Sequence, residues 1–340
     1  MEHKRILIIQ TAFLGDVILS TPLIKALRGL FPHSFISFLL IPETKKLLEN
    51  NPHLNEILVY DKRNNRGIRG FLHIKSKIKE RKFDLAVIPH RSLRSALLAY
   101  LSGIPERVGF DQSAGSFLLT QKVAYRQNTH EVDRNLSLLS SFNLELKDKS
   151  PQLFPTEEDF SYARKLLQDS GIQEQDRIVG IAPGSVWATK RWLPERFAEV
   201  SDFLLKQSGA KVIFLGSEDD RKLCLRIAGM MKGKPLVLAG RTDVMQSAAV
   251  ISFCKVILSN DSAPVHIASA MKRPVVAIFG STIPEFGFAP YGVHHTITQR
   301  KLYCRPCGIH GRRKCPEKHF RCMREILAAE VFQAVALHLQ

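Results

Sequence analysis

Ile178-Val179-Gly180-Ile181-Ala182-Pro183-Gly184-Ser185-Val186-Trp187-Ala188-Thr189-Lys190-Arg191-Trp192-Leu193-Pro194 is an apolar run, a break and a helix start in immediate succession. The first five residues have the continuous hydrophobicity of a strand buried on both faces, the mark of a parallel sheet. Pro183-Gly184-Ser185 interrupts it, and Pro194 opens an amphipathic helix carrying Phe197, Val200, Phe203, Leu204 and Leu205. Loops that leave the carboxyl ends of strands are where open α/β sheets bind ligands. This loop offers hydroxyls (Ser185, Thr189), a glycine that lets backbone approach, and the cations Lys190 and Arg191. Those are the parts that hold a diphosphate; an ordinary connection with a solvated lysine has them too.

Working outward, strand patterns alternate with helical ones along the whole chain, which predicts doubly wound parallel sheets. In the first half the strands fall near residues 4–10, 34–40, 56–60, 84–88 and 107–110, with helical stretches between them. Pro22 either opens a helix after Thr21 or kinks one begun at Asp16. In the second half the strands fall near residues 178–182, 211–215, 236–239, 256–259 and 275–279, and a last helix spans 323–339. The expected division is a first domain over residues 1–155, a second over 156–322 with a cysteine-rich loop at 302–322, and a terminal helix over 323–340. Two such halves facing each other would leave a central cleft where a donor and an acceptor meet.

The chain has 340 residues, 45% hydrophobic and 24% charged, the composition of a globular protein of about two domains. Neither a signal peptide nor an apolar run near the ~18 residues of a membrane span is seen, which predicts a cytoplasmic protein. Lys and Arg exceed Asp and Glu by 49 to 32, a formal +17 that favours an anionic partner. The basic residues are scattered, without a nucleic-acid motif, so nucleic acid is not expected. The densest cluster, residues 62–70 with Lys62, Arg63, Arg66 and Arg69, reads as a solvated loop or as a contact for lipid headgroups or a phosphorylated acceptor.

Four further stretches carry chemistry. Gly15-Asp16 follows the first strand, where Asp16 either caps a helix or acts as a general base. His90-Arg91 follows the fourth strand in the same way. Ser259-Asn260-Asp261-Ser262-Ala263-Pro264-Val265-His266 ends a strand and opens a helix whose first amide groups would face an anion. The plainer reading makes Asp261 and Ser262 caps and His266 a core imidazole. Glu218 and Asp219 stand where a carboxylate holds ribose hydroxyls in dinucleotide folds, with helix capping the rival role for Asp219. Finally, Cys304-x2-Cys307-x7-Cys315-x6-Cys322 is a candidate ligand set for structural zinc, or a group of reduced thiols packing a loop.

Together the motifs resemble those of the ADP-heptose–lipopolysaccharide heptosyltransferases, glycosyltransferase family 9. They are Thr11-x3-Gly15-Asp16-Val17 with Pro22 beyond, Pro183-Gly184-Ser185-x-Trp187-x2-Lys190-x-Trp192-x-Pro194, and Ser259-Asn260-Asp261-Ser262-Ala263-x2-His266. The loop ending Cys322-Met323 is similar to a variant near the heptosyltransferase II branch. The resemblance implies a GT-B fold of two Rossmann-like domains, the acceptor on the first and ADP-heptose on the second. It implies inverting, metal-independent transfer to the lipopolysaccharide inner core at the cytoplasmic face of the inner membrane, the second heptose being added to heptosyl-Kdo2-lipid A. Asp16 then matches the base and Lys190 the donor-phosphate ligand. Ser185, Thr189, Asp261, Ser262, Ala263 and His266 match the rest of the donor pocket, with Glu218 on the ribose. The acceptor would meet His90, Arg91, Arg63 and Arg66. Ala263 departs from the glycine frequent in the family, which narrows the backbone angles there while keeping the N–H. Another acceptor (the first heptose, a branch heptose or a protein) and a non-catalytic nucleotide-binding role are the rival readings.

Overall fold

A computed structural model of the chain describes residues 4–62, 67–142 and 148–339. The chain divides into two compact units, Met1–Phe154 and Pro155–Gln340. The amino-terminal unit runs β1 (Arg5–Ile9), α1 (Leu14–Ile18), α2 (Thr21–Leu30), β2 (Phe35–Leu40), β3 (Glu56–Val59), α3 (Gly67–Glu80), β4 (Leu85–Ile88), α4 (Leu93–Leu101), β5 (Glu106–Phe110), β6 (Gln121–Val123) and α5 (Glu131–Ser137). Its strands form one sheet in the order β3-β2-β1-β4-β5-β6, and each adjacent pair is parallel.

The carboxyl-terminal unit starts with α6 (Glu157–Asp169), β7 (Ile178–Ala182), α7 (Pro194–Gln207), β8 (Lys211–Phe214), α8 (Glu218–Met230) and β9 (Leu236–Val237). It continues with α9 (Val244–Phe253), β10 (Val256–Asn260), α10 (Ala263–Ala270), β11 (Val275–Phe279), β12 (His295–Gln299), α11 (Arg321–Arg324) and α12 (Ala328–Ala336). Its parallel sheet has the order β12-β11-β10-β7-β8-β9. The doubly wound α/β fold holds for each unit.

The two orders obey one rule. In each unit the chain builds outward from its first strand, then returns to that strand's other flank. The switch points therefore lie between β1 and β4 and between β7 and β10. Connections leaving two neighbouring strands diverge there, opening a crevice at the carboxyl ends. Every residue of β7, β10 and β11 is buried, which is why β7 and β11 read as unbroken apolar runs and β10 as one until Ser259 and Asn260.

The structure departs from the sequence pattern at several places. Each sheet has a sixth strand, β6 and β12, that the apolar pattern does not announce. Both lie at sheet edges and are polar, Gln-Lys-Val and His-Thr-Ile-Thr-Gln, because an edge strand has little apolar surface to bury. Of the two readings of Pro22 the first holds: α1 stops at Ile18, so Pro22 kinks no helix running from Asp16 and stands instead in the first turn of the separate α2. Residues 42–47 form a 3-10 helix. The terminal helix is broken into α11 and α12, the second opened by a cap at Leu327 and Glu330.

That terminal segment is part of the carboxyl-terminal unit's core. Met323, Ile326, Val331, Phe332 and Val335 pack in one cluster with Trp192, Phe197, Val200 and Leu204. Fully burying side chains of this kind contributes roughly 1.5–3 kcal/mol each. Among the described residues no helix is long and apolar enough to cross a membrane.

Candidate active site

At the β7/β10 switch point, Asn260 joins the two strand-end loops. Its Nδ2 donates to Pro183 O at 2.8 Å, and its Oδ1 accepts from Trp192 N at 2.9 Å. Trp192 is buried, sets its ring edge-on to Phe197 with centroids 5.0 Å apart, and donates through Nε1 to Ile326 O at 3.3 Å. The loop between Pro183 and Trp192 is thus clamped at both ends and anchored beneath by the terminal segment. Gly184 is obligatory there, since a Cβ would lie 2.2 Å from Asp220 Oδ1. Asp220 cannot easily yield, because its carboxylate accepts from Ser217 N at 3.0 Å and Ser217 Oγ at 2.8 Å to cap α8. The cap of α8 is therefore Ser217 with Asp220, not Asp219.

Within this frame Lys190 Nζ and Asp261 Oδ2 are 2.6 Å apart, and Thr282 Oγ1 donates to the same carboxylate oxygen at 2.6 Å. Both side chains are mostly buried, with relative exposures of 15% and 6%. Ser262 opens α10, and its Oγ lies 3.3 Å from Ser259 Oγ and from Gly184 O. The α10 N-terminus, the ammonium of Lys190 and the part-buried Ser185 thus meet at one strand-end crevice, with Ala263 as the first helical residue. A cation beside a helix N-terminus is an anion-binding arrangement. Arg191 turns back to donate from Nε to Ser185 O at 2.6 Å, bracing the loop. The Thr189 hydroxyl is engaged on both sides, donating to Ser281 Oγ at 3.0 Å and accepting from Arg312 N at 2.7 Å. His266 is buried, its ring edge-on to Phe288.

Glu218, the first residue of α8, stands at the next strand end with its side chain 69% exposed. It lies over Gly240, where φ is +76° and a Cβ would come within 2.0 Å of Glu218 Oε2. An exposed carboxylate over bare backbone can accept hydrogen bonds from the vicinal hydroxyls of a ribose.

The cysteine loop is fastened to this site from outside. Thr189 N donates to Arg312 O at 3.1 Å, and Cys307 N donates to Ser281 O at 2.8 Å. Cys304 Sγ and His319 Nε2 are 3.8 Å apart, and all six cysteines are free. Burial pushes the Cys322 thiol up to about 11. Among the described residues no group of three or more His, Cys, Asp or Glu side chains stands in position to hold a metal ion. The zinc expectation thus gains no ligand geometry among the described residues.

The β1/β4 switch point holds the other half of the candidate machinery. Asp16 occupies the third position of α1 and accepts from Phe13 N at 3.2 Å, so it does cap that helix, while remaining part-exposed at a strand end. Across the switch point His90 Nδ1 lies 3.0 Å from both Thr11 Oγ1 and Ser95 Oγ. Lys62 Nζ donates to Thr11 Oγ1 at 2.8 Å and Thr11 O at 3.0 Å. Burial, then the charges of Lys62 and Arg91, lower the His90 imidazole to about 4. At neutral pH it is an uncharged hydrogen-bonding ring, not a cation. Arg91 lies over the Tyr125 ring at 4.0 Å. Arg63 and Arg66 fall outside the described residues.

Sequence pattern did not single out Asn260, Thr282, Asp220 or Lys62 for these roles. Asn260, Thr282 and Lys62 act through contacts with residues distant in sequence, for which no local signal exists, whereas Asp220 carries the local signal of a capping box with Ser217 three residues before it.

Comparison with known proteins agrees with this geometry. Residues 71–320 match glycosyltransferase family 9 (heptosyltransferase). The chain is similar to lipopolysaccharide heptosyltransferase 2 of Salmonella typhimurium, at 26% identity over 299 residues, 83% of this chain and 84% of that protein. It is similar to lipopolysaccharide heptosyltransferase 3 of Escherichia coli K12, at 29% identity over 287 residues, 79% and 80% of the two chains. A crystal structure of a family 9 glycosyltransferase from Veillonella parvula superposes with a TM-score of 0.89 at 26% identity, covering 100% of this chain and 98% of that one. With a family match over well more than half its length, the chain belongs to glycosyltransferase family 9, the heptosyltransferases.

Proposed function

We propose that the chain transfers heptose, with inversion, from ADP-heptose to the lipopolysaccharide inner core, adding the second heptose to heptosyl-Kdo2-lipid A. The observation that carries this reading is the β7/β10 crevice, where Lys190, Asp261 and the start of α10 meet beside the exposed Glu218. That set suits a diphosphate joined to a ribose. Likeness to a heptosyltransferase 2 supports the acceptor.

The reaction is one in-line displacement. Asp16 takes the proton of an acceptor heptose hydroxyl as that oxygen bonds to the anomeric carbon. The bond from that carbon to the diphosphate oxygen breaks, and its electron pair leaves with ADP. Lys190, Ser185 and the amides at the start of α10 carry the growing charge. Because those groups are cationic or dipolar, turnover is expected to persist in EDTA. His90 and Arg91 meet the acceptor, and the basic surface holds the enzyme at the cytoplasmic face of the inner membrane.

The test is mass spectrometry of the enzyme with ADP-heptose and Kdo2-lipid A, with and without one heptose. Addition only to the heptosylated acceptor is expected. Addition only to the bare acceptor would reassign the position while leaving the chemistry in place. A second reading, a branch heptose, is favoured by the 29% identity to a heptosyltransferase 3. Transfer to neither acceptor, but to a core already carrying two heptoses, would establish it. Replacing Asp16 by Ala is expected to abolish turnover and spare donor binding.

A further inference from the structure

Lys62 belongs to a strongly basic stretch of the chain, yet its side chain turns onto the β1/β4 switch point. Its Nζ donates to Thr11 O at 3.0 Å and to Thr11 Oγ1 at 2.8 Å, and stands 5.8 Å from the centroid of the Tyr60 ring. Thr11, the second residue beyond β1, is buried, 6% exposed. Its hydroxyl has two partners among the described residues, Lys62 Nζ and, at 3.0 Å, His90 Nδ1. A threonine hydroxyl carries one proton and two lone pairs, and an ammonium only donates, so Lys62 occupies a lone pair. A protonated Nδ1 would occupy the other and leave the hydroxyl proton buried without an acceptor, which is costly. A bare Nδ1 accepts that proton, and every group is satisfied. Burial, then the charges of Lys62 and Arg91, keep the ring neutral at pH 7, so its single proton stands on Nε2. Ser95 Oγ, also 3.0 Å from Nδ1, does not decide between tautomers, because a hydroxyl donates or accepts and Ser92 Oγ at 3.0 Å completes its bonding either way. Nε2 makes no hydrogen bond among the described residues, and the ring is part-exposed.

We propose that Lys62 is a positioning residue: through the Thr11 hydroxyl it holds His90 in the Nε2–H tautomer, so that the ring presents a neutral N–H donor to an oxygen of the acceptor. The proposal rests on the reading of His90 as an acceptor contact. The hydrogen bond at one imidazole nitrogen sets what the other can do. A bare Nε2 would accept, and would compete for the proton of an acceptor hydroxyl. A protonated Nε2 binds only an oxygen lone pair and leaves hydroxyl protons to the base. The second bond of Lys62, to Thr11 O, fixes the ammonium on the main chain where β1 ends. Lys62 therefore shapes acceptor binding without touching the acceptor.

The test is nitrogen NMR of the full chain carrying labelled histidine, with the His90 signals identified by their absence from His90→Phe. In wild type Nδ1 should appear bare and Nε2 protonated. In Lys62→Met the Thr11 hydroxyl can turn to accept from Nδ1–H, and both tautomers should be populated. Thr11→Val should act as Lys62→Met does, whereas Thr11→Ser should keep the wild-type tautomer. The kcat/KM for heptosyl-Kdo2-lipid A should fall in proportion to the fraction of rings that keep Nε2–H, about twofold at one half, with KM for ADP-heptose unchanged. His90→Phe should lower the same quantity about three- to tenfold, the loss of one hydrogen bond. Adding Lys62→Met to His90→Phe should then cost nothing further. A wild-type tautomer in both Lys62→Met and Thr11→Val would overturn the proposal. So would a further loss in the double variant, which would mean that Lys62 meets the acceptor directly. Unchanged acceptor kinetics in His90→Phe, with the tautomer still shifted in Lys62→Met, would instead refute the acceptor contact at His90, and this proposal with it.

Discussion

Replacing Lys190 by Ala should do two separable things. The side chain is the proposed ligand of the donor diphosphate, and it is also the counter-ion of Asp261 at 2.6 Å. Removing one partner of a buried pair typically costs 3–5 kcal/mol, because the other charge stays buried without compensation. Here the cost is reduced on two grounds: Lys190 keeps 15% of its side-chain surface, and Thr282 still donates to Asp261. About 2–3 kcal/mol remains by the same reasoning. At roughly 2–4 °C per kcal/mol for a unit of this size, the melting temperature should drop by about 5–10 °C. In Lys190→Ala/Asp261→Asn the neutral amide can still accept from Thr282, so at least half of the loss should return. Affinity for ADP should fall in both variants, since neither carries the ammonium. Calorimetric melts read the first effect and titration calorimetry with ADP the second. A double variant as unstable as Lys190→Ala would refute the buried-charge argument, and ADP bound at wild-type strength by either would refute the phosphate role.

Two further outcomes follow from particular contacts. Gly184→Ala should cost about 1–3 kcal/mol in urea melts, because the new methyl meets an Asp220 carboxylate that the α8 cap holds in place. In an Asp220→Ala background the same change should cost clearly less, and equal costs would deny the clash. The second outcome concerns pH. His90, held near 4 against 6.5 when unfolded, gives stability that is present above pH 6.5 and lost as pH falls through 4, up to about 3 kcal/mol. Glu131, held near 7 against 4.5, gives stability that is present below pH 4.5 and lost as pH rises through 7. The two oppose each other in wild type. His90→Gln should therefore lose stability relative to wild type as pH rises from 4 to 6.5, read from urea midpoints at several pH values. A constant difference would contradict the buried neutral imidazole.

The central strands and the loops at their ends are legible in the sequence because fully buried parallel strands leave apolar runs that Pro and Gly cut off sharply. Ile178–Ala182, ended by Pro183-Gly184, is such a case. Edge strands such as β12 leave no such trace, since half their surface stays wet. Which loops meet is not legible either. That β7 neighbours β10 follows only from sheet order, and so the Asn260 clamp and the Lys190–Asp261 pair, each spanning about 70 residues, emerge only in three dimensions. Capping shows the limit of local reading. Glu218-Asp219-Asp220 offers three carboxylates to one helix start, and the backbone turn selects Asp220 because it stands three residues beyond Ser217.

The hydrogen bond from Trp192 to Ile326 bears on how the protein is made. On a ribosome adding about 5–20 residues each second, the amino-terminal unit has all its strands long before Ile326 is synthesised. The loop that carries Lys190 is made early in the second unit but lacks its floor until α11 and α12 emerge. The anchor of that loop is therefore the last part of the second unit to be made, and a ribosome stalled before Ile326 would hold an amino-terminal unit with all its strands and a Lys190 loop without its floor.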